Sequence, residues 1–199
     1  IDIFRFFGGY SYVFGGQTIP HDLPGNFLYT RREPLGVVAL ITPWNFPIAI
    51  PAWKLAPALL CGNTVILKPA SQAPAMSLEI ARAMAEAGLP KGVLNVVIGP
   101  GSEIGNELAG HAAVKALSFT GSYPVGRGIY GQLAQRMARA QMEMGGKNPT
   151  LVLADADLDL AVHLVIKAGF GLTGQACTAT SRVIVENGVR DAFLEKLTA

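Results

Sequence analysis

Three residues of this chain carry groups suited to acyl chemistry, and each lies where a turn can present it. Cys177, in GLTGQACTATSRVIVE, follows a glycine-bearing loop. A helix starting at or just after it would favour the thiolate, the nucleophilic form. The same residue fits the commonest fate of an unpaired cysteine, a small buried hydrophobe, and its local sequence by itself favours that reading. Glu143, in MEMGGKNPTLVL, stands at the end of one strand pattern and ahead of another, where Gly145 and Gly146 leave room for a ligand or a second backbone. Near a thiol, or a water beside it, the acid can act as a general base; otherwise it is a solvated strand-end group. Asn45, in TPWNFPIAIP, is fenced by Pro43 and Pro47. It can serve as a neutral donor to a developing oxyanion, or as a common turn or N-cap asparagine.

Other residues suit a phosphate-bearing ligand. In FTGSYPVGRG a strand pattern runs into Gly121 and Ser122, with Gly126 in the first helical turn. The spacing GxxxxG departs from GxGxxG and is a weak signal alone, but a helix N-terminus with the Ser122 hydroxyl suits a pyrophosphate. Lys68 closes the strand pattern TVILK at its carboxyl end, the edge where open α/β sheets bind ligands; lysines there are about as often simply exposed. Cys61, in PALLCGNTV, is flanked by apolar residues and reads as packing. No metal site is expected.

The elements needed to position these residues follow from periodicity. After a helical start, YVFGGQTIP and NFLYTRREP read as strands and GVVALI as a buried strand. Then come helix PAWKLAPALLCG, strand TVILK, and helix MSLEIARAMAEAG with an apolar face of Met76, Ile80, Met84 and Ala87. Strand LNVVIG, short helix SEIGNELAG, strand VKALSF, helix TGSYPVGRGIYGQLAQRMA and strand RAQMEMG complete the series. Such alternation predicts an α/β fold, a Rossmann-like parallel sheet with helices on both faces. It restarts after Asn148 with PTLVLA, LDLAVHLVIKAGF, SRVIVE and VRDAFLEKL, which places a domain boundary near Gly146, giving residues 1–146 and 147–199.

Composition limits the function classes. With 199 residues the chain can bury a sizeable core. Half the residues are hydrophobic and the mean hydropathy is +0.35, which suggests a core-rich protein with apolar surface for a partner. The formal charge of +2 comes from dispersed residues without a block of one sign, which argues against nucleic acid. Two distant cysteines point to a reducing, cytoplasmic compartment. The stretch from Pro34 to Trp53, which contains no charged residue, raises a membrane span only to exclude it, because Pro43, Pro47 and Pro51 would break the hydrogen bonding a lipid-exposed helix must complete.

Taken together the motifs resemble the aldehyde dehydrogenase superfamily. PWNFP, GNTVILKPA, SFTGS with Gly126, EMGGKNP and GQACTATSR occur in the family's order and span most of the chain. The resemblance implies that Cys177 attacks the aldehyde, that Asn45 and the Cys177 N–H hold the oxyanion, and that Glu143 activates water to hydrolyse the thioester. It also implies a cofactor domain followed by the first part of a catalytic domain. Lys68 would bind the adenine ribose and Ser122 the pyrophosphate, with Trp44, Ser71, Gly121 and Gly126 also at the cofactor. Family members that pass the acyl group to coenzyme A generally lack the glutamate, so Glu143 favours a free acid as product. NAD-specific members often carry a glutamate three residues after the lysine; here that residue is Ser71, which points to NADP being accepted at least as well as NAD.

The wording is most similar to members that oxidise α-ketoglutaric semialdehyde (2,5-dioxovalerate). Members acting on succinic semialdehyde come next, but their substrate-binding arginine falls here on Trp53. A homo-oligomer is expected at full length. Both ends read as cuts through a longer protein; a chain truly ending at Ala199 would be poorly stable, with little or no turnover. Two other classes compete: a non-catalytic nucleotide-binding or assembly remnant, and an ordinary doubly wound oxidoreductase, which leaves Asn45, Glu143 and Cys177 unexplained as a set.

Overall fold

The computed structural model describes residues 1–199, which divide into two compact units, Ile1–Glu143 and Met144–Ala199. The division lies slightly before the junction expected at Gly146.

The first unit is built on a five-stranded sheet. Its strands are β3 (Val37–Ile41), β4 (Thr64–Lys68), β5 (Leu94–Val96), β6 (Val114–Gly121) and β7 (Arg139–Met144), in the order β5-β4-β3-β6-β7. Two short strands, β1 (Thr18–Ile19) and β2 (Leu28–Tyr29), pair antiparallel ahead of it. The run VVALI has no polar residue because β3 is central: it pairs parallel with β4 and with β6, and both its faces are covered.

On one face Val38 and Leu40 pack with Val65, Leu67 and Leu55, the last from α2 (Ala49–Leu60). On the other, Ala39 and Ile41 pack with Leu117 and Phe119 of β6, with Leu108 of α4 (Asn106–Gly110), and with Ile129 and Leu133 of α5 (Tyr123–Gln135). The chain steps outward from β3 to β4 and β5, then returns across β3 to β6. The switch point therefore lies between the carboxyl ends of β3 and β6, where open α/β sheets take ligands.

Three local expectations need correction. In α3 (Ala75–Glu86) the inward row is Ser77, Ile80, Ala81 and Met84, whereas Met76 and Ala87 are exposed. Ser77 is fully buried, so a small polar residue occupies a place the hydrophobic pattern gave to methionine. The stretch SEIGNELAG is not one helix: a π-turn at Gly101–Gly105 runs into α4. Finally, α5 stops at Gln135 because Met137 takes a left-handed conformation (φ 56°) at the place where helices commonly end on glycine. Arg136 ties that end down by donating to the carbonyls of Ala109 (2.8 Å) and Val114 (2.7 Å).

Asn63 explains part of the motif GNTVILKPA. Its side-chain oxygen accepts from the N–H groups of Leu35 (2.7 Å) and Gly36 (3.2 Å), and its amide donates to Ala58 (3.1 Å). One buried side chain thus fastens the entry to β3 onto the end of α2, each bond contributing about 0.5–1.5 kcal/mol.

The second unit pairs β8 (Asn148–Val152) parallel with β9 (Thr180–Val185) and adds α6 (Leu158–Phe170) and α7 (Arg190–Thr198). The remaining helix, α1 (Asp2–Tyr10), belongs to the first unit. Asp157 caps α6 by accepting from the Leu160 N–H at 3.1 Å. Val152, Val165 and Phe193 form the core. No helix in the chain is long and apolar enough to cross a membrane.

Candidate active site

The carboxyl ends of β3 and β4 are locked together, since Thr42 N–H donates to the Lys68 carbonyl at 3.1 Å. Lys68 is 4% exposed and its Nζ donates to the Pro69 carbonyl at 3.1 Å. Burial lowers its pKa below the ordinary lysine value. An exposed strand-end lysine is therefore not what the structure contains. Three residues on, the Ser71 hydroxyl donates to the Gly99 carbonyl (2.9 Å), joining the loop after β4 to that after β5.

At the end of β6, Ser122 is the N-cap of α5 and its side chain makes no capping bond, so the hydroxyl is available to a ligand at the helix N-terminus. Pro124, in the first turn, has no N–H to satisfy. A Cβ on Gly121 would come within 2.5 Å of the Phe119 ring, which accounts for glycine there; Gly126 is buried in the next turn. Trp44 is half-exposed just beyond β3. Asn45 is half-buried in the following turn with its Oδ1 shielded from solvent, and it is not the N-cap of α2, a place held by Ile48. The buried Thr42 Oγ1 at this edge has no hydrogen-bond partner. A buried cation, an uncapped helix N-terminus and a free hydroxyl around one switch point fit a pyrophosphate-bearing dinucleotide.

Glu143 ends the first unit on β7, exposed, and accepts a bond from Gln141 Nε2 at 2.7 Å. Gln141 in turn accepts from Lys54 Nζ at 3.1 Å, and Lys54 also reaches Ser118 Oγ at 2.5 Å. Sequence reasoning passed over all three. The visible signal was a lysine in the otherwise apolar helix PAWKLAPALL, opposite a strand bearing two polar residues at alternate positions.

Burial lowers the Lys54 pKa to about 8, and the charge of Glu143 opposes that fall. Because the folded value is below the unfolded one, the ammonium burdens the fold below about pH 8, and the burden lifts as pH rises from there to 10.5. Glu143→Gln is expected to move the Lys54 midpoint further down, followed by NMR of its side-chain carbons through a pH titration. An unchanged or raised midpoint would count against the coupling.

In the second unit Cys177 is exposed in a turn that leads directly into β9. No helix begins there, so the expected dipole assistance to a thiolate is absent; nor is the residue a buried hydrophobe. The turn is held from β8: Asn148 Nδ2 donates to the Cys177 carbonyl (2.6 Å) and the Ala179 carbonyl (3.2 Å). Asn148 is part of the motif EMGGKNP, yet no role was read for it; an amide placed at the first residue of a strand was the available sign. Before the turn, Leu172, Thr173 and Gly174 all have positive φ (51°, 55° and 72°). The non-glycine pair is strained, a feature that clusters at functional loops. Gly174 is required also for space, since a Cβ would lie 2.9 Å from the Gly169 carbonyl.

The profile of the aldehyde dehydrogenase family matches residues 1–199. The chain belongs to that family. Among its curated relatives, an alpha-ketoglutarate semialdehyde dehydrogenase of Haloferax volcanii is 56% identical over 197 residues, covering 99% of this chain and 41% of that protein. A 2,5-dioxopentanoate dehydrogenase of Saccharolobus solfataricus is 48% identical, covering 98% and 41%. Among solved structures, betaine aldehyde dehydrogenase from Staphylococcus aureus in complex with NAD+ superposes with a TM-score of 0.94 at 38% identity, covering 98% of this chain and 39% of that one. An E. coli NADP dependent enzyme gives 0.93 at 42% identity, covering 98% and 41%. The chain thus spans about 40% of the length of the relatives it matches.

Proposed function

We propose that this chain is the cofactor-binding and nucleophile-bearing part of an enzyme that oxidises a semialdehyde such as α-ketoglutaric semialdehyde to the carboxylic acid, with NADP or NAD. The observation that carries the reading is the switch-point edge, where buried Lys68, the uncapped Ser122 and Gly121 meet the loop bearing Trp44 and Asn45. Relatives named for α-ketoglutarate semialdehyde and 2,5-dioxopentanoate support the substrate class.

In this reading Cys177 Sγ attacks the aldehyde carbon and Asn45 donates to the oxyanion of the resulting thiohemiacetal. Lys68 and Ser122 would hold the dinucleotide, which would supply the hydride acceptor needed to turn the thiohemiacetal into a thioester. Glu143 then takes a proton from water as the water oxygen attacks the thioester, and the tetrahedral intermediate collapses to the carboxylic acid as its C–S bond breaks and the Cys177 thiolate leaves. Residues 1–146 form the dinucleotide-binding domain, with Lys68 and Ser71 toward the ribose and Ser122 and Gly126 toward the pyrophosphate; residues 147–199 begin the catalytic domain. Two unpaired cysteines support a cytoplasmic protein. Exposed Phe6, Tyr12, Phe27 and Tyr29 support a homo-oligomer.

Ser71 places no charge against a 2′-phosphate, so NADP+ is expected to bind this chain at least as tightly as NAD+ in calorimetry. Ser71→Glu should weaken NADP+ by about tenfold, the scale of one like-charge contact, with NAD+ little changed. Equal loss of both would place Ser71 away from the 2′-position, and no binding of either would remove the cofactor reading.

A further inference from the structure

The group of polar side chains behind Glu143 is drawn from three elements: Lys54 from α2, Ser118 from β6, and Gln141 with Glu143 from β7. Gln141 and Glu143 are two residues apart on one strand and so share a face. The donors settle how the glutamine amide is turned. An ammonium only donates, so Ser118 Oγ (2.5 Å) and Gln141 Oε1 (3.1 Å) must both accept from Lys54. With its oxygen already accepting, Ser118 directs its own hydrogen to Gln141 Oε1. That oxygen accepts twice, which turns the amide N–H2 toward Glu143 Oε1 at 2.7 Å. The reverse amide orientation would set N–H2 against the ammonium and a carbonyl against the carboxylate, losing the bonds of Gln141 to Lys54 and to Glu143.

We infer that Gln141 is a positioning residue for Glu143, its amide locked by Lys54 and Ser118 so that one carboxylate oxygen is held and Oε2 is left to take a proton from water. The inference rests on the reading of Glu143 as the base of thioester hydrolysis. Glu143 itself is exposed at a strand end, where an unrestrained glutamate divides its time among several rotamers. A held carboxylate keeps a larger fraction in one geometry, and the hydrolysis rate scales with that fraction. The lowered pKa of Lys54 agrees with an ammonium withdrawn from water into this group.

The test separates acylation from hydrolysis in the full-length enzyme without cofactor. A p-nitrophenyl ester acylates the cysteine and releases p-nitrophenolate as a burst; water then cleaves the thioester in the steady state. When hydrolysis limits, kcat reports it and kcat/KM reports acylation. Gln141→Met, of similar size but without the amide, is expected to lower kcat about tenfold while burst amplitude and kcat/KM stay within twofold. Ser118→Ala, which leaves Lys54 on the glutamine oxygen, should lower kcat in the same pattern but by less, and it serves as the test if Gln141→Met fails to fold. Glu143→Gln provides the reference, with a loss of about 100-fold.

If Glu143→Gln loses hydrolysis and neither Gln141→Met nor Ser118→Ala does, the positioning role is overturned and the base stands. If Glu143→Gln keeps full hydrolysis, the base reading fails and the positioning role falls with it. A parallel fall of kcat and kcat/KM in both variants overturns it as well, because it marks general structural damage.

Discussion

Cys177→Ala is expected to lower aldehyde-dependent NAD(P)H formation by at least about 10⁴-fold in the full-length enzyme, the scale seen when a covalent nucleophile is removed. Without Sγ no thioester forms, and neither Asn45 nor Glu143 has an intermediate to act on. Dinucleotide affinity should stay unchanged, because Lys68, Ser71 and Ser122 belong to Ile1–Glu143 whereas Cys177 belongs to Met144–Ala199. The second cysteine provides the control. Cys61 is half-buried at the end of α2, and Cys61→Ala should leave the rate within about twofold. The exposed Cys177 should also react with iodoacetamide before Cys61 does, read by mass spectrometry of the labelled peptides. Turnover that survives Cys177→Ala, with binding intact, would take covalent catalysis out of this protein.

Much of this arrangement could be read from the sequence where one physical cause dominates. The apolar runs VVALI and TVIL predicted buried parallel strands because a strand covered on both faces admits little else, and both are found within the expected segments. The family resemblance rested on residues that turns and strand ends hold in place, and the family match covers the whole chain. Illegible features depend on what a side chain meets across the fold. Ser77 looks like surface in MSLEIARAMAEAG, yet its row packs inward; Lys54 and Gln141 acquire meaning only when α2 lies against β6 and β7. The turn at Cys177 was opaque for another reason: Leu172 and Thr173 take left-handed conformations that their types disfavour, and no local rule predicts a strained pair. Asn148 was in view throughout but silent, because its role is a bond to the carbonyl of Cys177 on a different strand connection.

Phe193→Ala is expected to unfold the second unit while the first keeps its structure. Phe193 is almost fully buried on α7, against Val152 of β8 and Val165 of α6, and the other apolar side chains of that cluster are only partly buried. Truncating a buried phenylalanine costs about 3–5 kcal/mol. A unit of this size rarely has more than about 3–5 kcal/mol from a single core, so the loss removes most or all of its margin. The surface ion pair between Lys196 and Asp159 (2.6 Å) lies on the same helices but is too exposed to compensate. In hydrogen exchange, the amides of β8 and β9 should lose protection while those of β3 and β6, whose clusters do not include Phe193, retain it. Asn148 would then release the Cys177 carbonyl, so the thiol should label at the rate of an unstructured peptide, linking a core residue on the last helix to the order of the nucleophile loop. Protection of β8 and β9 that persists in Phe193→Ala would show that the unit draws its stability from something other than this small core.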